Sequence, residues 1–382
     1  MLWLAILAAV PALILAHHLR AAGGLFDALY FGQEYAAAQL PAVQALHPPA
    51  ATRYGYDGQF YAQLAVEPLL RGAELEGAMD NASYRAQRIG LPWLAALGAG
   101  GDARRALVCF ALANYAFWAL LAGALLRAPA LRGTRGIAAC GAILWSSGTV
   151  VSLDRCLTDL PAAAIGLMGA MTSVRGTWSA CLFGYSALVK ETSILSLGAL
   201  LFPQKAGEPW LAPRSLRLLA IATVPLALWF AYVHLRFPGA AAPVSGNFGT
   251  PLAGIASKIL EAGGALLAAP PGTPLAARMR LGFELLAPLS LTVQAAYLLA
   301  KPRPHSRIWA FGCGFVLLFL VLGHSVWVEQ QAYCRVLLPM TLAFNLQIGE
   351  AEPTRRFAFW ALCGNVGLAG LAARVFVEAL AG

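Results

Sequence analysis

The sequence predicts an all-α, polytopic transmembrane bundle of about 10–12 membrane segments, with extracytoplasmic loops that carry short amphipathic helices. Three observations predict it. Of 382 residues, 59% are hydrophobic and 12% charged, with a mean hydropathy of +0.66. Several apolar stretches reach the roughly 18 residues that span lipid. The Lys and Arg residues behind the +9 formal charge sit in short clusters between those stretches. A soluble domain cannot cover so much apolar surface with polar groups, which excludes soluble enzymes, secreted scaffolds and disordered tails. No basic stripe interleaves with aromatic residues, so the charge marks topology rather than nucleic acid. The cysteines show no metal-ligand spacing. Cys109, Cys140, Cys181, Cys313 and Cys363 lie inside apolar runs, and Cys156 and Cys334 read as small packing residues, so neither zinc nor a disulfide framework is expected.

Taken in order, residues 2–16 form an apolar run broken by Pro11 and followed by His17, His18 and Arg20. With no basic stretch ahead of it and no small-residue cleavage site behind, it reads as a retained first transmembrane helix. The polar stretch from 17 to about 88 is too long for a turn. With the short apolar run 89–100 it makes a first extracytoplasmic loop over residues 17–102. Phe60, Leu64 and Leu69, near helical spacing, predict an amphipathic helix at the membrane surface over 59–70. Apolar segments follow at 103–126, 136–153, 160–174, 177–202, 218–235, 281–300, 308–328, 336–348 and 357–380. A second long extracytoplasmic loop covers 236–280, with a surface helix expected at 251–268. Residues 1–382 read as a single integral membrane domain, without the internal repeat that marks many transporters.

The segment 177–202 decides the orientation. As one span it scatters the basic clusters over both faces. As two short helices turning back near Lys190 and Glu191, it gathers Arg127, Arg132, Arg135, Lys205, Arg214, Arg217, Lys301, Arg303, Arg307, Arg355 and Arg356 on one face, the cytoplasmic one. Both long loops, the Asp154–Asp159 loop, the Lys190 turn and the Glu329–Arg335 loop then share the opposite face.

Candidates for chemistry lie on that outer face. Asp57, in Tyr54-Gly55-Tyr56-Asp57-Gly58-Gln59-Phe60-Tyr61, is a lone carboxylate ringed by aromatics; it serves equally as a proton acceptor or as a helix N-cap. Arg85 and Arg88, three apart, share a helix face and suit either a phosphate clamp or lipid headgroups. Asp154 and Arg155 occupy a very short loop, where they pair with each other or face a ligand; Asp159 in the same loop reads as an N-cap before Pro161. Lys190 and Glu191 are ionisable groups at membrane depth, a structural pair or a phosphate contact. Arg335 follows Glu329, its candidate ion-pair partner. His324 reads as a packing residue.

The string YGYDGQFYAQLAVEP, followed by DNASYRAQRIGLPWLAAL, resembles the first extracytoplasmic loop of bacterial membrane proteins of the GT-C glycosyltransferase superfamily, distantly similar to the mannosyltransferases of glycosylphosphatidylinositol assembly. The resemblance is strong over about residues 54–97; elsewhere it rests on layout and on TDLPAAA, LVKET and YCRVLLP. It implies a GT-C-like fold and Asp57 as the catalytic base. It also implies a polyprenyl-phosphate sugar as donor, attacked with inversion by a hydroxyl of a lipid or glycan acceptor. Arg88, Lys190 and Arg335, with Arg85, become candidates for holding the donor phosphate, Asp154 and Arg155 complete the pocket, and Gln59 and Tyr61 join as substrate-binding candidates. The family's adjacent pair of acids is missing, since Gly58 follows Asp57, which leaves a divalent metal open. The expected function is a multi-pass glycosyltransferase of a bacterial inner membrane, acting in surface glycopolymer formation. The alternatives are a transporter or flippase of a lipid-linked sugar and a non-catalytic assembly protein.

Overall fold

A computed structural model describes residues 2–128, 133–172, 176–201, 212–238 and 246–381; Arg132 and Lys205 lie outside them. The chain opens with α1 (Leu2–Arg20), a single helix that passes through Pro11. The first loop then holds a parallel two-stranded pair, β1 (Phe31–Gly32) and β2 (Ala50–Thr52), with α2 (Pro41–Gln44) between them, then α3 (Gly58–Val66), α4 (Ala82–Ala86) and α5 (Gly90–Ala99). The bundle continues with α6 (Ala103–Arg127), α7 (Gly133–Leu144), α8 (Ser147–Asp154), α9 (Asp159–Met171), α10 (Thr177–Val189), α11 (Gly198–Leu201) and α12 (Pro213–Arg236). The second loop carries α13 (Ala253–Leu267). After it come α14 (Leu275–Ala300), α15 (Arg307–Val321), α16 (His324–Trp327), α17 (Gln330–Val336), α18 (Leu338–Ala351), α19 (Thr354–Asn365) and α20 (Gly370–Ala381).

Four runs, α6, α12, α14 and Thr354–Glu378, are long and apolar enough to cross a membrane, and α7 with α8, bent by 48°, makes a fifth when taken as one span. By length and composition the chain is a multi-pass membrane protein with an all-α bundle. Fewer full spans stand in the structure than the sequence suggests. Helices α9, α10 and α15 have only 13, 13 and 15 residues, because polar residues end them early: α9 stops at Thr172 and α10 at Lys190, whose backbone is extended.

At Lys190 the chain reverses. The 3-10 stretch Glu191–Leu197 runs back along the bundle, and the Leu195 backbone packs against Gly314, midway along α15. Arg307, at the start of α15, donates to the Thr172 carbonyl at the far end of α9. The two ends of the bundle therefore differ. One carries Arg135, which donates to the Glu352 carbonyl, and Arg303, 3.7 Å from Glu350; the other carries the starts of α3 and α9 and the ends of α8 and α10.

Two apolar cores support this arrangement. One joins α7, α8, α9, α14, α15 and α18. The other packs the first loop onto α6 and α12 through Leu29, Phe31, Leu64, Ile89, Phe110 and Trp229. Helix α3 is thus not the surface helix expected over 59–70: every residue from Gly58 to Ala65 is buried, and Leu69, the third apolar marker, lies beyond its end. Helix α13 does lie on the surface, with Leu260 and Leu267 exposed and Lys258 turned inward onto Glu284 at 2.6 Å.

A buried charge cluster as candidate active site

Asp57 precedes α3 in helical backbone conformation, and its side chain caps nothing. The carboxylate instead faces two guanidinium groups, with Arg335 at 2.7 Å and Arg85 at 3.0 Å. From there opposite charges alternate through the site. Arg85 also holds Asp80 at 2.7 Å. Arg335 reaches Asp159 at 3.3 Å, and Asp159 in turn binds Lys190. Beside this chain, Arg88 grips Glu191 through two nitrogens, at 2.6 and 2.7 Å, and donates to the hydroxyls of Tyr61 and Tyr84.

Local sequence explains the convergence. Asn81 caps α4 by accepting from the Tyr84 N–H at 3.0 Å, which turns Arg85 and Arg88 inward. Gly90 lets α5 close on Val189; a Cβ there would sit 2.7 Å from the Val189 side chain, and this approach sets Arg88 beside Glu191. Gly58 does the same for Asp57: a Cβ would lie 2.4 Å from the Arg155 carbonyl and 3.0 Å from that of Leu29. Gly58→Ala must push α3 off the Arg155 loop. It is expected to cost about 1–3 kcal/mol of stability, checked by thermal unfolding in detergent.

Several residues expected to meet a ligand have structural partners instead. The Gln59 side chain accepts from the Gly32 N–H and donates to the Tyr54 carbonyl, both at 2.9 Å, which ties the β1 region to the loop before α3. Tyr61 is fully buried with its hydroxyl on Arg88. Arg88 and Lys190 are buried in their ion pairs and present no open face to a phosphate. Lys190 and Glu191 do not pair with each other, and Arg335 bypasses Glu329; each finds an acid or base from a distant segment. Asp159 is not a cap, because Thr158 holds the cap position and the carboxylate is turned to Lys190 and Arg335.

The accessible part of the site is narrower. Asp57 keeps 15% of its side chain exposed, Arg335 12% and Arg85 10%. Arg155 lies over the rings of Tyr56 at 4.3 Å and Tyr30 at 4.7 Å, and Arg335 shares the Tyr56 ring at 5.4 Å. The contact of Arg155 with Asp154 is loose, at 3.7 Å. Burial by itself raises the Asp57 carboxyl pKa, but the Arg335, Arg85 and Arg88 charges outweigh it and hold the group far below the usual carboxylate range.

Asp159, Glu191 and Asp80 are the members that inspection of the sequence did not place. A signal existed: Lys190 and the arginines bury four positive charges at one end of an apolar bundle, and burial demands matching acids. The acids at hand in apolar context were Asp159 and Glu191. As for a metal, both Asp57 oxygens face guanidinium groups, and among the described residues no three His, Cys, Asp or Glu side chains gather as ligands. Such a donor set does not fit a divalent cation at Asp57.

No family model, curated protein or solved structure matches this chain.

Proposed function

We propose that the chain is a membrane glycosyltransferase of GT-C type, moving a sugar from a polyprenyl-phosphate donor to a hydroxyl of a lipid or glycopolymer acceptor, with inversion. The observation that carries the proposal is the partly open Asp57 carboxylate, set between Arg85 and Arg335 at one end of an apolar bundle. A base and two cations within one contact distance meet the demands of this reaction. The acceptor hydroxyl gives its proton to an Asp57 oxygen as its own oxygen forms the bond to the anomeric carbon. The bond from that carbon to the phosphate oxygen breaks, its electron pair stays on the phosphate, and Arg335 and Arg85 stabilise the charge that develops there. The charge asymmetry supports the orientation. The end opposite the cluster holds Arg135, Lys301, Arg303 and Arg307, the bias of a cytoplasmic face, so the site faces outward from a bacterial inner membrane.

The test is transfer of labelled sugar from a panel of polyprenyl-phosphate donors by the purified protein in reconstituted membranes, beside Asp57→Asn. Wild type transfers sugar, and the variant loses about 10²–10⁴-fold, the usual share of a general base. If neither protein transfers sugar while both carry labelled donor across the bilayer, the chain is a transporter and the catalytic role of Asp57 falls.

A further inference from the structure

The three arginines of the site are anchored unequally. Arg85 bonds both Asp80 oxygens, through Nε at 2.9 Å and Nη2 at 2.7 Å, the paired geometry that fixes a guanidinium in plane and direction. Its face lies over the Phe60 ring, 4.9 Å from the centroid, and Tyr35 in turn packs edge-on against Phe60 at 5.0 Å. With one edge and one face taken, the remaining nitrogen, Nη1, is aimed at Asp57, 3.0 Å away. Glu191 grips Arg88 in the same paired way, but the free nitrogen there goes to the Tyr61 hydroxyl. Arg335 has no paired anchor: it meets Asp57 and Asp159 through one nitrogen each, and its Nε is buried without a bond. Asp80 itself is set by the turn before α4. Its Oδ1 also accepts from the Asn81 N–H at 2.8 Å, and Asn81 caps α4, so acid and arginine ride on one short turn between the buried Met79 and Ala86. The Asp80 side chain is 34% exposed. An ion pair this open to water contributes little to stability, so what the contact supplies is direction.

We propose that Asp80 is a positioning residue, which locks Arg85 so that Nη1 stays aimed at the reacting phosphate after Asp57 has released it; this rests on the glycosyltransferase reading. In the free protein Arg85 is held from two sides, by Asp80 and by Asp57. Once a donor phosphate stands between Asp57 and Nη1, the second hold is gone, and Asp80 alone keeps the guanidinium in line. A cation already aimed needs no reorganisation as charge develops on the departing phosphate. The gain therefore falls in the transition state. Arg335, which lacks a paired anchor, supplies the grip on the phosphate in the ground state.

Steady-state kinetics of wild type, Asp80→Asn, Arg85→Lys and the double variant, with the donor varied, test this. Asp80→Asn lowers kcat about 10- to 100-fold, the worth of a hydrogen bond to a charged group. Donor KM stays within about threefold, the pattern of an interaction made in the transition state, and the thermal midpoint stays close to wild type. Lysine offers Asp80 no second edge to hold, so on the Arg85→Lys background the same change costs about twofold or less. A purely structural acid would move the midpoint and leave kcat of the folded protein unchanged. Wild-type kcat in Asp80→Asn overturns the role. Losses that multiply in the double variant overturn it too, because Asp80 then acts on something other than Arg85. A raised donor KM with kcat unchanged assigns Asp80 to ground-state binding and overturns it as well. Wild type that transfers from no donor overturns the glycosyltransferase reading, and this role with it.

Discussion

Asp159→Asn is expected to destabilise the protein by about 3–5 kcal/mol, the loss typical of a buried ion pair stripped of one partner. The Asp159 side chain is 1% exposed and neutralises Lys190 on one side and part of Arg335 on the other. Without its charge, Lys190 remains at the turn between α10 and the returning stretch with only Glu191 nearby, an acid already paired with Arg88. Changing both ends, Asp159→Leu with Lys190→Met, removes the desolvation of two ions together and leaves Arg335 its 2.7 Å contact with Asp57. The double variant recovers most of the loss, since buried pairs often yield to apolar residues of similar volume. Equilibrium unfolding in detergent measures both. A single variant within 1 kcal/mol of wild type, roughly the scale of an exposed pair, contradicts this account.

The second large effect concerns protons. Asp57, held ionised by its guanidinium neighbours, is a weak base as it stands; its strength must come from the ligand. A phosphate that takes Arg335 and Arg85 leaves Asp57 with burial as the dominant influence, and burial raises a carboxyl pKa. Binding of a polyprenyl phosphate near neutral pH is therefore expected to draw up to about one proton onto Asp57. Calorimetry in two buffers of different ionisation heat reads this uptake. The phosphate's own titration is common to wild type and Asp57→Asn, so the difference between them isolates the carboxylate, and equal proton exchange in both contradicts the exchange of partners. In the free protein the sign is fixed by the lowered value. The stabilisation from Asp57 is complete above the unfolded carboxyl pKa of about 3.9 and is lost as pH falls below it toward the folded value. Acid unfolding of Asp57→Asn is accordingly less steep below about pH 4 than that of wild type.

The sequence carried much of this, unevenly. Helical, membrane-compatible architecture followed from composition and run length, and the reversal at Lys190 from the distribution of arginines. Asp57 stood out through the resemblance carried by its string; by local pattern alone, an acid among four aromatics and two glycines serves equally as a helix N-cap. Partner choice did not follow. Arg88 meets Glu191 across 103 positions of sequence and Arg335 meets Asp57 across 278, and nothing local distinguishes those acids from Glu329 or Asp154. Burial of α3 was hidden for a related reason: its polar members, Gln59 and Gln63, look solvent-facing by periodicity, yet each accepts a backbone N–H from elsewhere in the loop, that of Gly32 and that of Leu40.

The brevity of α9 and α10 sets the depth of the charge cluster. Thirteen residues rise about 20 Å, against about 30 Å of hydrocarbon in a typical bilayer. Helix α9 is buried in protein along nearly its whole length, so it is the longer helices, such as α6 and α14 with 25 and 26 residues and exposed leucines along their flanks, that match the hydrocarbon thickness. The charge cluster at the head of those two short helices is thereby set within the length of the longer ones, with the first loop packed beside it.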